Sequence, residues 1–239
     1  MNKLLRLMIA GTHSGVGKTT VTLGLMSALT QRGYKVQGFK VGPDYIDPGH
    51  HTAVTGIPSR NLDTWIMGGD VCIKLFKRAA AKADISIIEG VMGLYDGHLI
   101  DGEAGSSAHL AKILRTPVIL IVDAKGMARS AGAVVLGYIN FDPEVKIAGV
   151  ILNNIGSKEH FEAIRSYVGA RCNVPLLGYL PKDTKITIPE RHLGLVTSHE
   201  VGAGFPCPQI ESYHKIGDLL ASTVNIDKIL EIAKESYEL

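Results

Sequence analysis

Apolar residues along this chain follow two rhythms. Some form short unbroken runs, and others recur every three or four positions through longer polar stretches. Leu4 to Ile9 is the first run and predicts a buried strand. Lys18 to Gln31 then sets Val21, Leu25 and Leu29 four apart, the spacing of one helix face, and Gly33 closes that helix. Lys35 to Lys40 predicts a second strand. After it, Gly42, Pro43, Pro48 and Gly49 predict irregular backbone from Lys40 to His51. No clean period follows until Gly69. A connection this long in a compact domain is either functional or disordered, and Tyr45, Trp65 and the neighbouring aliphatics argue against disorder.

Val71 to Ala83 predicts a helix, and Asp84 to Glu89 an apolar strand that delivers a carboxylate at its C-terminal end. Gly90 to Gly105, rich in glycine and carrying Asp96, Asp101 and Glu103, predicts a second, mobile loop. The alternation continues with a helix at Ser106 to Leu114, a buried strand at Pro117 to Val122 and a helix at Ala128 to Ile139. A strand at Lys146 to Leu152 runs into Asn153-Asn154, followed by a helix at Ser157 to Arg171. Strands at Val174 to Tyr179 and Leu193 to Thr197, then helices at Ser212 to Ser222 and Asp227 to Ser236, complete it. Regular exchange of strand and helix predicts an α/β fold, a three-layer sandwich with a mostly parallel central sheet and helices on both faces.

Composition narrows this picture. With 239 residues, 46% of them hydrophobic, the chain can bury one large core or at most two modest ones, and it is read as one domain spanning 1–239. A net charge of +2, with Lys and Arg scattered, excludes a nucleic-acid footprint. No apolar stretch approaches the about 18 residues of a membrane span, and the first apolar run leads into a glycine turn rather than a cleavage site. Cys72, Cys172 and Cys207 have neither metal-ligand nor disulfide spacing, which predicts reduced thiols and a cytoplasmic protein.

Chemistry concentrates first in Gly11-Thr12-His13-Ser14-Gly15-Val16-Gly17-Lys18-Thr19-Thr20, which joins the first strand to the first helix. Such a loop is of the P-loop NTPase type. Its glycines let backbone N–H groups approach phosphate oxygens, Lys18 bridges the terminal phosphates as a point charge, and Thr19 offers a hydroxyl to Mg²⁺. ATP with Mg²⁺ is the expected cofactor. Five residues rather than four separate Gly11 from Gly17, so either the loop is one residue longer than the common form or Gly15 and Gly17 carry the close approach. Lys40 and Glu89 end strands on the side where the loop lies, the side on which open α/β sheets bind ligands. Of the nine histidines, His13 sits within the loop, while the adjacent His50 and His51 have no partner at ligand spacing and none is assigned a site.

The five-residue loop is similar to that of dethiobiotin synthetase and the cobyrinic acid amidating enzymes. Phe39-Lys-Val-Gly-Pro-Asp-Tyr-Ile-Asp-Pro48, Asn61-Leu-Asp-Thr-Trp65 and Glu89-Gly-Val-Met-Gly-Leu-Tyr-Asp96-Gly together resemble the cobyrinic acid a,c-diamide synthase family, through nearly the whole chain. The resemblance implies an ATP-dependent carbon–nitrogen ligase. A substrate carboxylate is activated by phosphoryl transfer, and ammonia then displaces the phosphate. It implies Lys18, Lys40, Asp44, Glu89 and Asp96 as catalytic residues and Thr19, Asp44 and Glu89 as metal contacts, with Asp44 and Glu89 alternatively handling ammonia. Lys40, Asp44, Tyr45, Asp47 and Asp96 would meet a tetrapyrrole carboxylate substrate. Residues Thr12 to Thr20 and the adenine-reading Asn153 would hold ATP. Enzymes of the family continue into a glutamine amidotransferase domain. No cysteine here lies in a Gly-x-Cys-x-Gly elbow, so a glutaminase domain or separate subunit is expected to supply ammonia to a truncated or naturally separate chain. Cobyrinic acid and nickel sirohydrochlorin both remain open as substrates, as does a homodimer. A partitioning-type (ParA/MinD-like) dimerising ATPase is the alternative from another class, set back by His13 standing where those proteins carry a signature lysine. Dethiobiotin synthetase itself is a third reading, weakened by Asp44-Tyr-Ile-Asp-Pro48.

Overall fold

The computed structural model describes residues 4–98, 102–182, 210–236 and 239. The expected strand at Leu193 to Thr197, together with Asp101 and Cys207, lies outside the described residues. Within them the chain runs β1 (Arg6–Gly11), α1 (Lys18–Gln31), β2 (Val36–Val41), α2 (Ile46–Thr55), β3 (Arg60–Leu62), α3 (Gly69–Ala80), β4 (Ile85–Glu89), α4 (Ser107–Ile113), β5 (Val118–Asp123), α5 (Arg129–Phe141), β6 (Ile147–Ile155), α6 (Lys158–Arg171), β7 (Leu176–Pro181), α7 (Ile210–Thr223) and α8 (Ile226–Lys234). The strands form one sheet in the order β3-β2-β4-β1-β5-β6-β7, every neighbouring pair parallel. Among the described residues no helix is long and apolar enough to cross a membrane.

The central strands β1, β2, β4 and β5 are buried on both faces, which is why they read as continuous runs rather than alternating ones. On β1, Leu7 and Ile9 join a core with Val21, Leu25 and Leu29 of α1, Leu220 of α7 and Ile229 of α8. Met8 and Ala10 face the other way, into a core with Phe76 of α3, Leu110 of α4, Val135 of α5 and Ile164 of α6. Full burial of each large aliphatic contributes about 1.5–3 kcal/mol before the entropy of ordering the chain is set against it. Cys72 and Cys172 are free and buried in the second core. Burial pushes the Cys72 thiol up to about 11, so it behaves as a small apolar side chain.

Two expectations are corrected. The stretch from Lys40 to His51 does not stay irregular, since α2 begins at Ile46. Asp44 Oδ1 accepts the N–H groups of Ile46 at 2.8 Å and Asp47 at 3.2 Å, satisfying donors that a helix start leaves unpaired. Pro48 falls in that first turn, where a missing N–H breaks no helical bond. The helix then ends at Gly56, whose φ of 69° turns the chain out. The second correction concerns the segment after β4, whose first residues are fastened rather than loose. Leu94 is fully buried, its N–H donates to Gly11 O at 2.8 Å, and its carbonyl accepts the N–H of Ala108 at 2.9 Å.

Candidate active site

The turn between β1 and α1 is shaped by its glycines and pinned by Val16. That side chain is fully buried in the α1-side core, so it fixes the loop from within. Gly15 (φ 78°) and Gly17 (φ 100°) take left-handed backbone that a side chain would strain, and at Gly17 a Cβ would also strike the Asn153 amide. These two glycines set the path of the loop. The helix begins at Lys18, so its unpaired first-turn N–H groups and the positive end of its dipole face the turn, an arrangement suited to phosphate. Lys18 Nζ donates to His13 O at 3.1 Å and Met92 O at 2.5 Å. Burial first, and Lys40 second, push its ammonium down to about 8. A bound phosphate would push it up again.

Parallel register places the second part of the site. Lys40 of β2 pairs with Glu89 of β4, directly after Phe39 pairs with Ile88. Phe39 and Ile88 belong to the α3-side core, so the next residues turn to the opposite face, under α1 and α2. There Lys40 Nζ lies 3.0 Å from Glu89 Oε1 and 2.6 Å from Asp47 Oδ2, and it donates to Gly90 O at 3.1 Å. An ammonium has three protons, and three acceptors use them. Thr19 Oγ1 donates to Glu89 Oε1 at 2.7 Å, and His51 Nε2 lies 2.7 Å from Glu89 Oε2. Glu89 and His51 have no accessible surface. Burial pushes the Glu89 carboxyl up, but Lys40 and the His51 and Thr19 hydrogen bonds together hold it well below the usual carboxylate range. Asp47 goes the other way: burial and the neighbouring Glu89 raise it despite Lys40.

A cavity of about 380 Å³ opens where these parts meet. Ser14, Gly15, Gly17, Lys18, Thr19 and Thr20 line it from the loop, and Lys40, Asp44, Ile46, Asp47, His50 and Glu89 from the other side. Of the residues singled out in the sequence, Lys18, Thr19, Lys40, Asp44, Asp47 and Glu89 are thus brought together. Others are not among its walls. Tyr45 is 82% exposed. Asp96 is exposed, and its Oδ2 accepts the Gly93 N–H at 2.9 Å, closing a turn. Thr12 is held by its carbonyl, which accepts the Tyr138 hydroxyl at 2.5 Å, and His13 Nδ1 sits 2.6 Å from Ser14 O at the surface. Asn153 supports the loop by donating Nδ2 to Val16 O at 2.9 Å, while its Oδ1 accepts the Asn154 N–H.

His51 was passed over in the sequence, where neither it nor His50 has a partner at ligand spacing. The available signal was the four-residue spacing from Asp47, which puts both on one face once α2 exists. Among the described residues no group of three His, Cys, Asp or Glu side chains is arranged to hold a metal ion alone. The hydroxyl of Thr19 beside the carboxylate of Glu89 is instead a small hard-oxygen set. It suits Mg²⁺, which is commonly held by one or two protein oxygens together with nucleotide phosphate and water.

The stretch that carries the loop and its helix has counterparts elsewhere. A family model described as the CobQ/CobB/MinD/ParA nucleotide binding domain matches residues 7–196. The chain belongs to that family. Within the CobQ/CobB/MinD/ParA family, it is 48% identical over 241 residues to the cobyrinate a,c-diamide synthase of Listeria innocua serovar 6a, a match covering 100% of this chain and 51% of that enzyme. The enzyme of the same name from Priestia megaterium is 48% identical over 228 residues, covering 95% and 48%. That of Caldanaerobacter subterraneus is 52% identical over 194 residues, covering 81% and 42%. The chain therefore spans about half the length of the curated relatives it matches. Among solved structures, chloroplast FtsY from Physcomitrella patens superposes with a TM-score of 0.54 at 18% identity, covering 75% of this chain and 59% of that one. FtsY from Elizabethkingia anophelis in complex with GDP gives 0.51 at 16%, covering 75% and 58%. These two show the shared α/β fold.

Proposed function

We propose that this chain is the ATP-dependent synthetase domain of a cobyrinate a,c-diamide synthase, converting the a and c acetate carboxylates of cobyrinic acid to amides. One observation carries the reading. Identity to enzymes of that name runs through the whole chain, and the phosphate loop opens on the same cavity as the buried Lys40–Asp47–Glu89 cluster. A carboxylate oxygen of the substrate attacks the γ-phosphorus of ATP, ADP leaves, and an acyl phosphate forms. Ammonia then attacks the acyl carbon, the carbon–oxygen bond to phosphate breaks, and a proton is lost to leave the amide.

Phosphoryl transfer of this kind needs placement and charge stabilisation more than covalent help. Lys18 exchanges its contacts to His13 O and Met92 O for the phosphates, whose negative charge favours its ammonium form. Mg²⁺, held by Thr19 with Glu89 direct or through water, would offset charge on the phosphates when bound. Lys40 offsets part of the charge of the two buried acids, which eases the approach of an anionic substrate carboxylate; direct contact with substrate would require it to release one of its three acceptors. Asp44 sits in the wall of the cavity while capping α2, so it sets the segment that would face the substrate. Ammonia is supplied by a glutaminase domain or subunit, in keeping with relatives about twice as long. ATP as donor and buried reduced thiols at Cys72 and Cys172 fit a cytoplasmic enzyme.

The test is an assay of the purified chain with Mg²⁺, ATP, ammonium and either cobyrinic acid or nickel sirohydrochlorin. The expected result is phosphate release with stepwise amidation of cobyrinic acid, none with glutamine in place of ammonium, and loss of ATP binding in Lys18→Ala. Amidation of nickel sirohydrochlorin alone would reassign the substrate. ATP affinity unchanged in Lys18→Ala would remove the nucleotide from this loop.

A further inference from the structure

Glu89 presents two carboxylate oxygens to two different parts of the protein. Oε1 faces α1, accepting from Thr19 Oγ1 at 2.7 Å beside Lys40 Nζ at 3.0 Å. Oε2 points inward to α2, where His51 Nε2 lies 2.7 Å away. The terminal torsion of a glutamate is broad and roughly two-fold, so hydrogen bonds must decide how the carboxylate is turned. His51 is itself held. Its Nδ1 lies 3.2 Å from Ser59 Oγ, and the Ser59 N–H donates to Thr52 Oγ1 at 3.0 Å, which in turn donates to Pro48 O at 2.7 Å. The consistent tautomer has Nε2–H donating to Glu89 and Nδ1 accepting the Ser59 hydroxyl.

Packing gives this chain of contacts no slack. His51 is fully buried against β2 at Gly38, where an added Cβ would stand 3.0 Å from His51 Cβ and 3.2 Å from Ser59 Oγ. Four residues earlier on the same helix face, Asp47 takes Lys40. One helix therefore grips both members of the Lys40–Glu89 pair, the cation through Asp47 and the anion through His51. The first turn of that helix also lines the cavity with Asp44, Ile46 and Asp47.

We propose that His51 is a positioning residue, which by bonding Glu89 Oε2 and leaning on Ser59 aims Oε1 at the Thr19 position and so couples the substrate-side helix α2 to Mg²⁺-nucleotide binding. This rests on reading the cavity as the Mg²⁺-nucleotide site. Groups that orient a metal-side carboxylate are commonly worth about 10–100-fold in metal affinity.

The experiment compares wild type, His51→Gln, His51→Leu and Ser59→Ala by calorimetry with ATP in EDTA and ATP with excess Mg²⁺, with thermal melts to verify folding. Gln can place an N–H where Nε2 donates, whereas Leu cannot. His51→Leu is expected to weaken Mg²⁺-ATP binding about tenfold or more while ATP in EDTA stays within about twofold, and His51→Gln to recover most of the loss. Should His51→Leu fail to fold, Ser59→Ala keeps the question decidable, with an expected loss of about two- to fivefold confined to the Mg²⁺ condition. Equal Mg²⁺-ATP binding by wild type and His51→Leu overturns the proposal alone, as does a Gln variant no better than Leu, or a Ser59→Ala loss that appears equally in EDTA. A wild type whose ATP affinity ignores Mg²⁺ overturns the underlying reading as well.

Discussion

Lys40 and Lys112 each gather several carboxylates, and water separates what the two clusters do. Lys112 bonds Glu103 and lies 2.9 Å from Asp142 and 3.5 Å from Glu144, with its own side chain 20% exposed and that of Glu144 80% exposed. Solvent screens those pairs and competes for them, and each long side chain loses rotamer freedom in making them, so their net worth is small. Lys40 meets Asp47 and Glu89 at similar distances, but the three side chains are 4%, 3% and 0% exposed. Water reaches them only from the cavity edge, so it replaces a lost partner poorly. The same residue types at the same spacing are surface decoration in one place and a mutually dependent unit in the other, beside the cavity.

The comparison breaks hardest at Lys40. Lys40→Met leaves Glu89 and Asp47 buried without their ammonium, and the expected loss is about 3–5 kcal/mol in a urea titration, the scale for orphaning one side of a buried ion pair. A loss below about 1 kcal/mol would mean that water enters the cluster and that it resembles the Lys112 one after all. Glu89→Gln tests the anion. Its expected first effect is a fall in amidation rate of at least about tenfold, since charge placed for phosphoryl transfer is worth more than about 1.4 kcal/mol. Its second effect is on pH dependence. Because the folded Glu89 carboxyl sits below its ordinary value of 4.5, its contribution to stability is complete above that pH and is lost progressively as the pH falls from there through the lowered folded value. The stability advantage of wild type over Glu89→Gln should therefore shrink on acidification below 4.5, and an advantage that grew instead would contradict the assigned direction. Lys112→Met is the smallest change expected, about 1 kcal/mol or less in stability, vanishing in high salt, with amidation unaffected.

Legibility in the sequence followed how local each determinant is. The phosphate loop, the helix after it and the core strands were readable because consecutive residues encode them, through glycine spacing, Lys18-Thr19 and unbroken apolar runs. Helix α2 was not. Pro48 and Gly49 read as breakers until the Asp44 cap and the seat against Gly38 are known. His51 escaped notice for a related reason, since its partner Glu89 is 38 residues away, at the end of β4. Asn153 was expected at the nucleotide, and the fold sets it first against Val16 of the loop, 137 residues distant.

What the sequence by itself determined was the alternation of strand and helix, the phosphate-binding turn, and the presence of Lys40 and Glu89 at the ends of strands. Periodicity and turn chemistry are properties of neighbours in the chain, and they survive without knowledge of where the strands go. Only the tertiary structure decided that β2 lies beside β4, which brings Lys40 and Glu89 into register across 49 residues and turns both beneath α1 and α2. It alone decided that Asp47 and His51 close over them and exclude water. Burial is what converts four ordinary polar side chains into one cluster, and burial is a consequence of strand order and helix packing that no single stretch of sequence contains.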